Sequence, residues 1–160
     1  MELPKRKNIR LKDYDYSSSG AYFITICTQN RRNFFGDVVG AIINRLSLSK
    51  CGYVAENAIK GISNHYDGVA VDKYVVMPNH IHMIIFLNNH DKNGRLVIAP
   101  TISTVIQQMK RHVSKQIGYP IWQKSYHDHI IRDEADYLRI WQYIDENPAK
   151  WAEDEYYCTQ

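Results

Sequence analysis

The stretch Val75-Val76-Met77-Pro78-Asn79-His80-Ile81-His82-Met83-Ile84-Ile85-Phe86 sets two histidines two residues apart in an apolar, largely β-branched run. Such a run reads as strand, and side chains two apart on a strand point to the same face. His80 and His82 would therefore aim both imidazoles at one point. The residues alone leave two readings open. The pair is either hydrogen-bonded core, or two nitrogen ligands of a metal site.

Outward from this stretch, the elements alternate in a recognisable order. Tyr22 to Thr28 is aromatic and β-branched and reads as a first strand. Residues 38 to 48 are ambiguous and admit a short strand. Ser49 to Tyr66 carries Val54, Ala58, Ile59 and Ile62 at helical spacing. Val69 to Val76 and His80 to Leu87 are two strands joined tightly at Met77-Pro78-Asn79, and Asn88 to Pro100 is a polar loop. Thr101 to Gly118 is a helix whose buried stripe is Ile102, Val105, Ile106, Met109, Val113 and Ile117, stopped by Gly118 and Pro120. Trp122 to Arg132 reads as a further strand. Asp133 caps a last helix, with Glu134 and Asp136 in its first turn, running to about Asn147 before Pro148. The order β-α-β-β-α-β plus a helix is the ferredoxin-like split βαβ arrangement, an α+β fold with helices on one face of an antiparallel sheet. In that topology the histidine strand is interior, a rigid platform for a site.

On the last helix, Tyr137, Ile140, Trp141 and Ile144 make the expected core face. At about 100° per residue, Tyr143 falls roughly 120° from Tyr137, and Asn147 about 40° from Tyr143. Both can approach a common point on the sheet from the flank of the stripe. Spacing alone leaves Tyr143 open between a functional role and an amphipathic tyrosine at a packing edge, since the chain has 12 tyrosines.

Composition narrows the setting. A chain of 160 residues suits one domain, here 21–155 behind a polar, basic arm over 1–20. The net charge of +3 is too small to establish a nucleic-acid partner by itself. Its distribution says more. Lys5, Arg6, Lys7, Arg10 and Lys12 crowd the N-terminus, Arg31 and Arg32 are adjacent, and Lys110, Arg111 and Lys115 share one helix. Each cluster reads as a solvated surface, or as part of a phosphate-binding track if a phosphodiester site lies nearby. Cys27, Cys51 and Cys158 have no C-x-x-C spacing and are odd in number, which argues against a disulfide framework or a cysteine zinc site and fits the cytoplasm. No apolar run approaches membrane-spanning length.

Three blocks carry a resemblance. They are Tyr22-Phe23-Ile24-Thr25 through Arg31-Arg32-Asn33-Phe34-Phe35; Val76-Met77-Pro78-Asn79-His80-Ile81-His82; and Trp122 through Arg132, continuing to Tyr143-Ile144-Asp145-Glu146-Asn147-Pro148. In this order they resemble the HUH-superfamily single-tyrosine transposases, insertion-sequence and REP-associated types, over about residues 8 to 150. The resemblance implies that His80 and His82 are metal ligands, that Tyr143 is the nucleophile, and that Asn147 takes the third-ligand position. It implies a divalent cofactor, Mg²⁺ or Mn²⁺, and single-stranded DNA with hairpins as the partner of a homodimer or monomer. For that partner Lys110 and Arg111, Arg31 and Arg32, and the arm residues Lys5, Arg6, Lys7 and Arg10 are the expected phosphate contacts. Trp122, Tyr126 and Phe34 could stack on bases but suit packing better. His127 and His129 form a second i, i+2 pair; His129 is expected to pack or orient the site, and His127 to be exposed.

The implied chemistry suits these residue types. A tyrosine that attacks phosphorus leaves a 5′-phosphotyrosyl link and a free 3′-hydroxyl, so the phosphodiester's energy is kept for rejoining. Free tyrosine titrates near 10, so its proton must be removed or its anion stabilised. No residue near the motifs is an obvious general base. Two other classes fit the same fold: a non-catalytic single-stranded nucleic-acid binder, and a metal-dependent phosphodiester hydrolase that uses water.

Overall fold

The computed structural model describes residues 20–39, 45–90, 93–98 and 100–158. The basic arm with Lys5, Arg6, Lys7, Arg10 and Lys12 lies outside the described residues. Four strands, β1 (Gly20–Cys27), β4 (Val69–Val76), β5 (His80–Leu87) and β6 (His127–Ile131), form one antiparallel sheet in the order β4-β5-β1-β6. That order is the ferredoxin-like one expected from the sequence. Between β1 and the first helix a hairpin is inserted, β2 (Gly36–Val39) against β3 (Arg45–Leu48), where the sequence admitted only one short strand.

The sheet is covered on both sides. Helices α1 (Lys50–His65) and α2 (Ile102–Ile117) cover one face. Ile59, Val105, Ile106 and Met109 pack there on Tyr22, Ile24 and Ile26 of β1 and on Ile81, Met83 and Ile85 of β5. The register pairs these rows, Tyr22 with Ile85, Ile24 with Met83 and Ile26 with Ile81. Burying each such side chain contributes about 1.5–3 kcal/mol. The third helix, α3 (Glu134–Glu146), covers the other face, with Ile140 and Ile144 packed on Val75, Met77 and Ile84. The histidines belong to this second face, because strand alternation puts His80, His82 and Ile84 opposite Ile81, Met83 and Ile85.

Local chemistry sets the helix ends. Ser49, Thr101 and Asp133 each accept a hydrogen bond from a backbone N–H three residues on. Gly118 closes α2 in the left-handed region (φ 98°), where a Cβ would be strained. Among the described residues no helix is long and apolar enough to cross a membrane.

Two sequence expectations are corrected. The strand expected over Trp122 to Arg132 exists only from His127 to Ile131, with a single bridge from Trp122 to Thr28. The Lys110 ammonium takes the carbonyls of Gln123 and Ser125, while the Gln123 N–H bonds to the Cys27 carbonyl at the end of β1. Trp141, placed on the core face by its spacing, is 38% exposed. It sits at the edge of the stripe, with the Lys73 ammonium 3.8 Å from its ring centroid.

Asp133→Ala removes the cap of the helix that carries Tyr143. It should lower the free energy of unfolding in urea by about 1 kcal/mol, with Asp133→Asn near wild type. Equal losses in both variants would show that the cap is not the source.

Candidate active site

His80 and His82 are 0% and 1% exposed, and their ring centroids are 4.5 Å apart. Each has its Nδ1 fixed. His80 Nδ1 lies 2.8 Å from Asn79 Oδ1, and the Asn79 amide donates to the carbonyls of Arg31 (3.1 Å) and Tyr156 (2.7 Å). Those two bonds orient the Asn79 amide so that its oxygen faces His80. Nδ1 must then be the donor, and Nε2 presents a lone pair. His82 Nδ1 lies 2.8 Å from Thr25 Oγ1 on the neighbouring strand. Arg31 reaches its position through two consecutive left-handed residues, Asn30 (φ 56°) and Arg31 (φ 54°), a strained conformation outside glycine.

Tyr143 lies over the pair. Its hydroxyl is 3.5 Å from His82 Nε2, and its ring meets Phe23 edge-on. Asn147, one turn further, is buried, and its amide nitrogen donates to Asp154 Oδ2 at 3.0 Å. Asp154 belongs to the segment after α3, held by a short 3-10 turn at Trp151–Glu153. Its Oδ2 is 3.9 Å from His80 Nε2. Tyr156 follows and packs its ring on His80, with centroids 4.5 Å apart. The ligand-type atoms of His80, His82 and Asp154 all lie within 4.8 Å of one another. Among the described residues, neither His80 Nε2 nor Asn147 Oδ1 has a hydrogen-bond partner. Buried polar atoms without partners are rare, and these two acceptors suit a cation.

Burial sets the electrostatics. It pushes His80 down to about 3, partly opposed by Asn147 and reinforced by the Arg31 charge. It also pushes His82 well below the usual imidazole range, with the charge of His80 adding to it. Both rings are therefore neutral near pH 7, the form that binds metals. Tyr143 is raised to about 12, by desolvation first and then by the charges of Asp154 and Glu155. Burial raises Asp154 as well. Two open grooves flank Tyr143. One, of about 530 Å³, runs past Thr25, His82, His127, His129 and Arg139. The other, of about 320 Å³, runs past Asn147, Lys150, Glu153 and Asp154.

The structure thus brings Tyr143, His80, His82 and Asn147 together. It does not bring Lys110 or Arg111 to them. Lys110, expected on the exposed side of its helix, is half-buried and bonded to backbone carbonyls, and its own carbonyl accepts from the Trp122 indole. Arg111 is exposed on α2, the helix that packs on the opposite sheet face. Arg31 lies beside the site, donating to the Glu155 carbonyl with its guanidinium 5.5 Å from the Tyr156 ring centroid. Arg32 lies over Phe34. His127 and His129 are both exposed. His129, expected to pack or orient the site, lines the groove beside Tyr143 and is bonded to Asp136 of α3 at 2.6 Å. Tyr126 is core, as packing suggested, and Tyr137 donates to Asp72. Asp154 and Tyr156 were not singled out in the sequence. They lie beyond the last helix, where no periodicity aims a side chain. Cys27, Cys51 and Cys158 are free thiols, and burial raises the first to about 11.

A desolvated histidine pair, a tyrosine above it and an amide one turn on lie together on one face of a ferredoxin-like sheet. The chain belongs to the IS200-like transposase family, whose model matches residues 16–147. An uncharacterised Haemophilus influenzae protein is 34% identical over 95% of this chain and 93% of its own length. A second protein of that organism, provisionally named a REP-associated tyrosine transposase, is 27% identical over 85% of this chain and 74% of its own. Among solved structures, a REP-associated tyrosine transposase bound to a REP hairpin shares the fold with a TM-score of 0.63 at 22% identity, covering 91% of this chain and 77% of that one. A provisionally assigned transposase from Deinococcus radiodurans gives 0.50 at 15% identity, covering 86% and 95%.

The depressed imidazoles make the metal-free fold acid-sensitive. Their folded pKa values lie below the unfolded value of about 6.5, so the unfolded chain binds more protons as pH falls below it. Stability present above pH 6.5 should drain away toward pH 3, by up to about 1.4 kcal/mol per pH unit for each histidine. Urea midpoints in a chelator at pH 7.5, 6 and 5 should fall more steeply for wild type than for His80→Gln/His82→Gln. Parallel slopes would contradict the assignment.

Proposed function

We propose that this protein is a metal-dependent single-stranded DNA endonuclease and strand transferase, with Tyr143 as nucleophile. The observation that carries the reading is the Tyr143 hydroxyl, 3.5 Å from His82 Nε2 above two buried, neutral imidazoles. Tyr143 Oη attacks the scissile phosphorus. The tyrosyl O–P bond forms, the P–O3′ bond breaks, the phenol's proton is lost and the 3′-hydroxyl departs protonated. Attack by a 3′-hydroxyl on the phosphotyrosine reverses these changes and rejoins a strand.

His80, His82 and Asn147 would hold a divalent cation, for which two unpartnered buried acceptors speak. When bound, Mg²⁺ or Mn²⁺ supplies positive charge to the phosphate oxygens as the phosphorane develops. Thr25 and Asn79 fix both rings so that the remaining nitrogens stay aimed inward. Phe23 holds the tyrosine ring edge-on, which limits its swing. The phenol is protonated at rest, because its pKa is raised to about 12 by burial and by Asp154 and Glu155. The flanking grooves are open, as a single strand entering from either side requires. Its neighbourhood makes Arg31 the better phosphate contact of the basic residues described. Arg32, Arg111 and the arm residues Lys5, Arg6, Lys7 and Arg10 would serve a hairpin, the partner of the solved relative.

Labelled hairpin oligonucleotides from DNA flanking the gene, with Mn²⁺, test this on a denaturing gel. A covalent protein–DNA band is expected from wild type. Tyr143→Phe and His80→Ala/His82→Ala should lower it at least 100-fold. A band that survives Tyr143→Phe would move the nucleophile, and cleavage with no band would indicate water as the nucleophile.

A further inference from the structure

We propose that Asp154 is a further ligand of the cation held by His80, His82 and Asn147, supplied by the segment that follows the tyrosine helix. This rests on the metal reading above and extends it to a residue outside α3 and outside the three sequence blocks.

Hydrogen bonding carries the argument. The Asn147 amide nitrogen donates to Asp154 Oδ2, which turns Asn147 Oδ1, an acceptor without a partner, away from that bond. The orientation of Asn79 puts the proton of His80 on Nδ1, leaving a lone pair on Nε2. That lone pair lies 3.9 Å from the Asp154 carboxylate. Both atoms are buried in the chain itself, and two buried acceptors this near each other repel unless a positive charge lies between them. The Asp154 side chain is only 2% exposed, yet among the described residues no lysine or arginine nitrogen lies within 4 Å of it. An unpaired buried carboxylate costs several kcal/mol, and a metal ion is the ordinary remedy.

Charge and geometry agree with this. Two imidazoles and an amide are a neutral donor set, which is weak for a hard divalent cation. One carboxylate adds a single negative charge to a set that already mixes nitrogen and oxygen, a type suited to Mn²⁺. Asp154 is also held in place before any ion arrives. Its Oδ1 accepts from the Tyr156 N–H at 2.8 Å, and its own N–H donates to the Trp151 carbonyl at 3.1 Å. Because the ligand belongs to the post-helical segment, ion binding and the docking of that segment favour each other.

The test is Mn²⁺ binding to the full chain without DNA, followed by electron paramagnetic resonance. Wild type, Asp154→Asn, Asp154→Ala and His80→Ala/His82→Ala are compared, with a thermal melt to verify folding. Asp154→Asn removes the charge and keeps one acceptor oxygen, enough for either the Asn147 amide or the Tyr156 N–H, whereas Asp154→Ala removes both acceptors. The Mn²⁺ Kd of Asp154→Asn should rise at least tenfold, and Mn²⁺ should no longer slow amide exchange over residues 151–158. A wild-type Kd in Asp154→Asn overturns the proposal; Asp154 would then only support Asn147, most clearly if Asp154→Ala alone weakened binding. Loss of binding in the histidine variant, with Asp154→Asn unaffected, would leave the metal reading standing. Wild type without Mn²⁺ affinity, or a histidine variant that binds as tightly, would overturn both.

Discussion

β5 is buried on both faces, so the two histidines on it lose their water while their strand is fixed by neighbours on each side. α1 and α2 close one face through Ile81, Met83 and Ile85. α3 and the segment after it close the other over His80 and His82. A polar pair in that position is costly unless every nitrogen is accounted for. Thr25 and Asn79 account for one nitrogen of each ring. The other two point at Tyr143, Asn147 and Asp154, and this unbalanced remainder is the candidate site. Desolvation that would be a defect in a structural core is here what keeps both rings neutral and lone-pair-bearing at physiological pH.

The same constraint explains the surroundings. Asn79 bonds at once to His80, to the Arg31 carbonyl and to the Tyr156 carbonyl. The turn before β5, the loop after β1 and the segment after α3 therefore meet at one amide. The left-handed pair Asn30 and Arg31 is the strained element of that junction, and its position beside the site matches the tendency of strain to collect there. Trp151, buried against the α3-side core, anchors the post-helical segment so that Asp154 and Tyr156 face the histidines.

Much of this was legible beforehand because it is local. Alternation over β5 placed both imidazoles on one face, and the Asp133 cap and the 3.6-residue period placed Tyr143 and Asn147 on one flank. The interior position of β5 followed from element order. The misreadings came from non-local contacts. Lys110 reads as an exposed cation, but its ammonium binds carbonyls 13 and 15 residues on. Trp141 reads as core, but Lys73 on β4 offered its ring a cation at the rim of the stripe.

The sequence by itself determined the fold class, the face that bears the histidines and the helix that bears the tyrosine, because periodicity, capping and strand order are properties of neighbouring residues. Only the tertiary structure decided what surrounds them. Which nitrogen of His80 is left without a partner, which way the Asn147 amide turns, and that Asp154 and Tyr156 return to the histidines all depend on hydrogen bonds between segments far apart in the chain. No pattern along the chain encodes such bonds; they arise when the desolvated groups of different elements must satisfy one another.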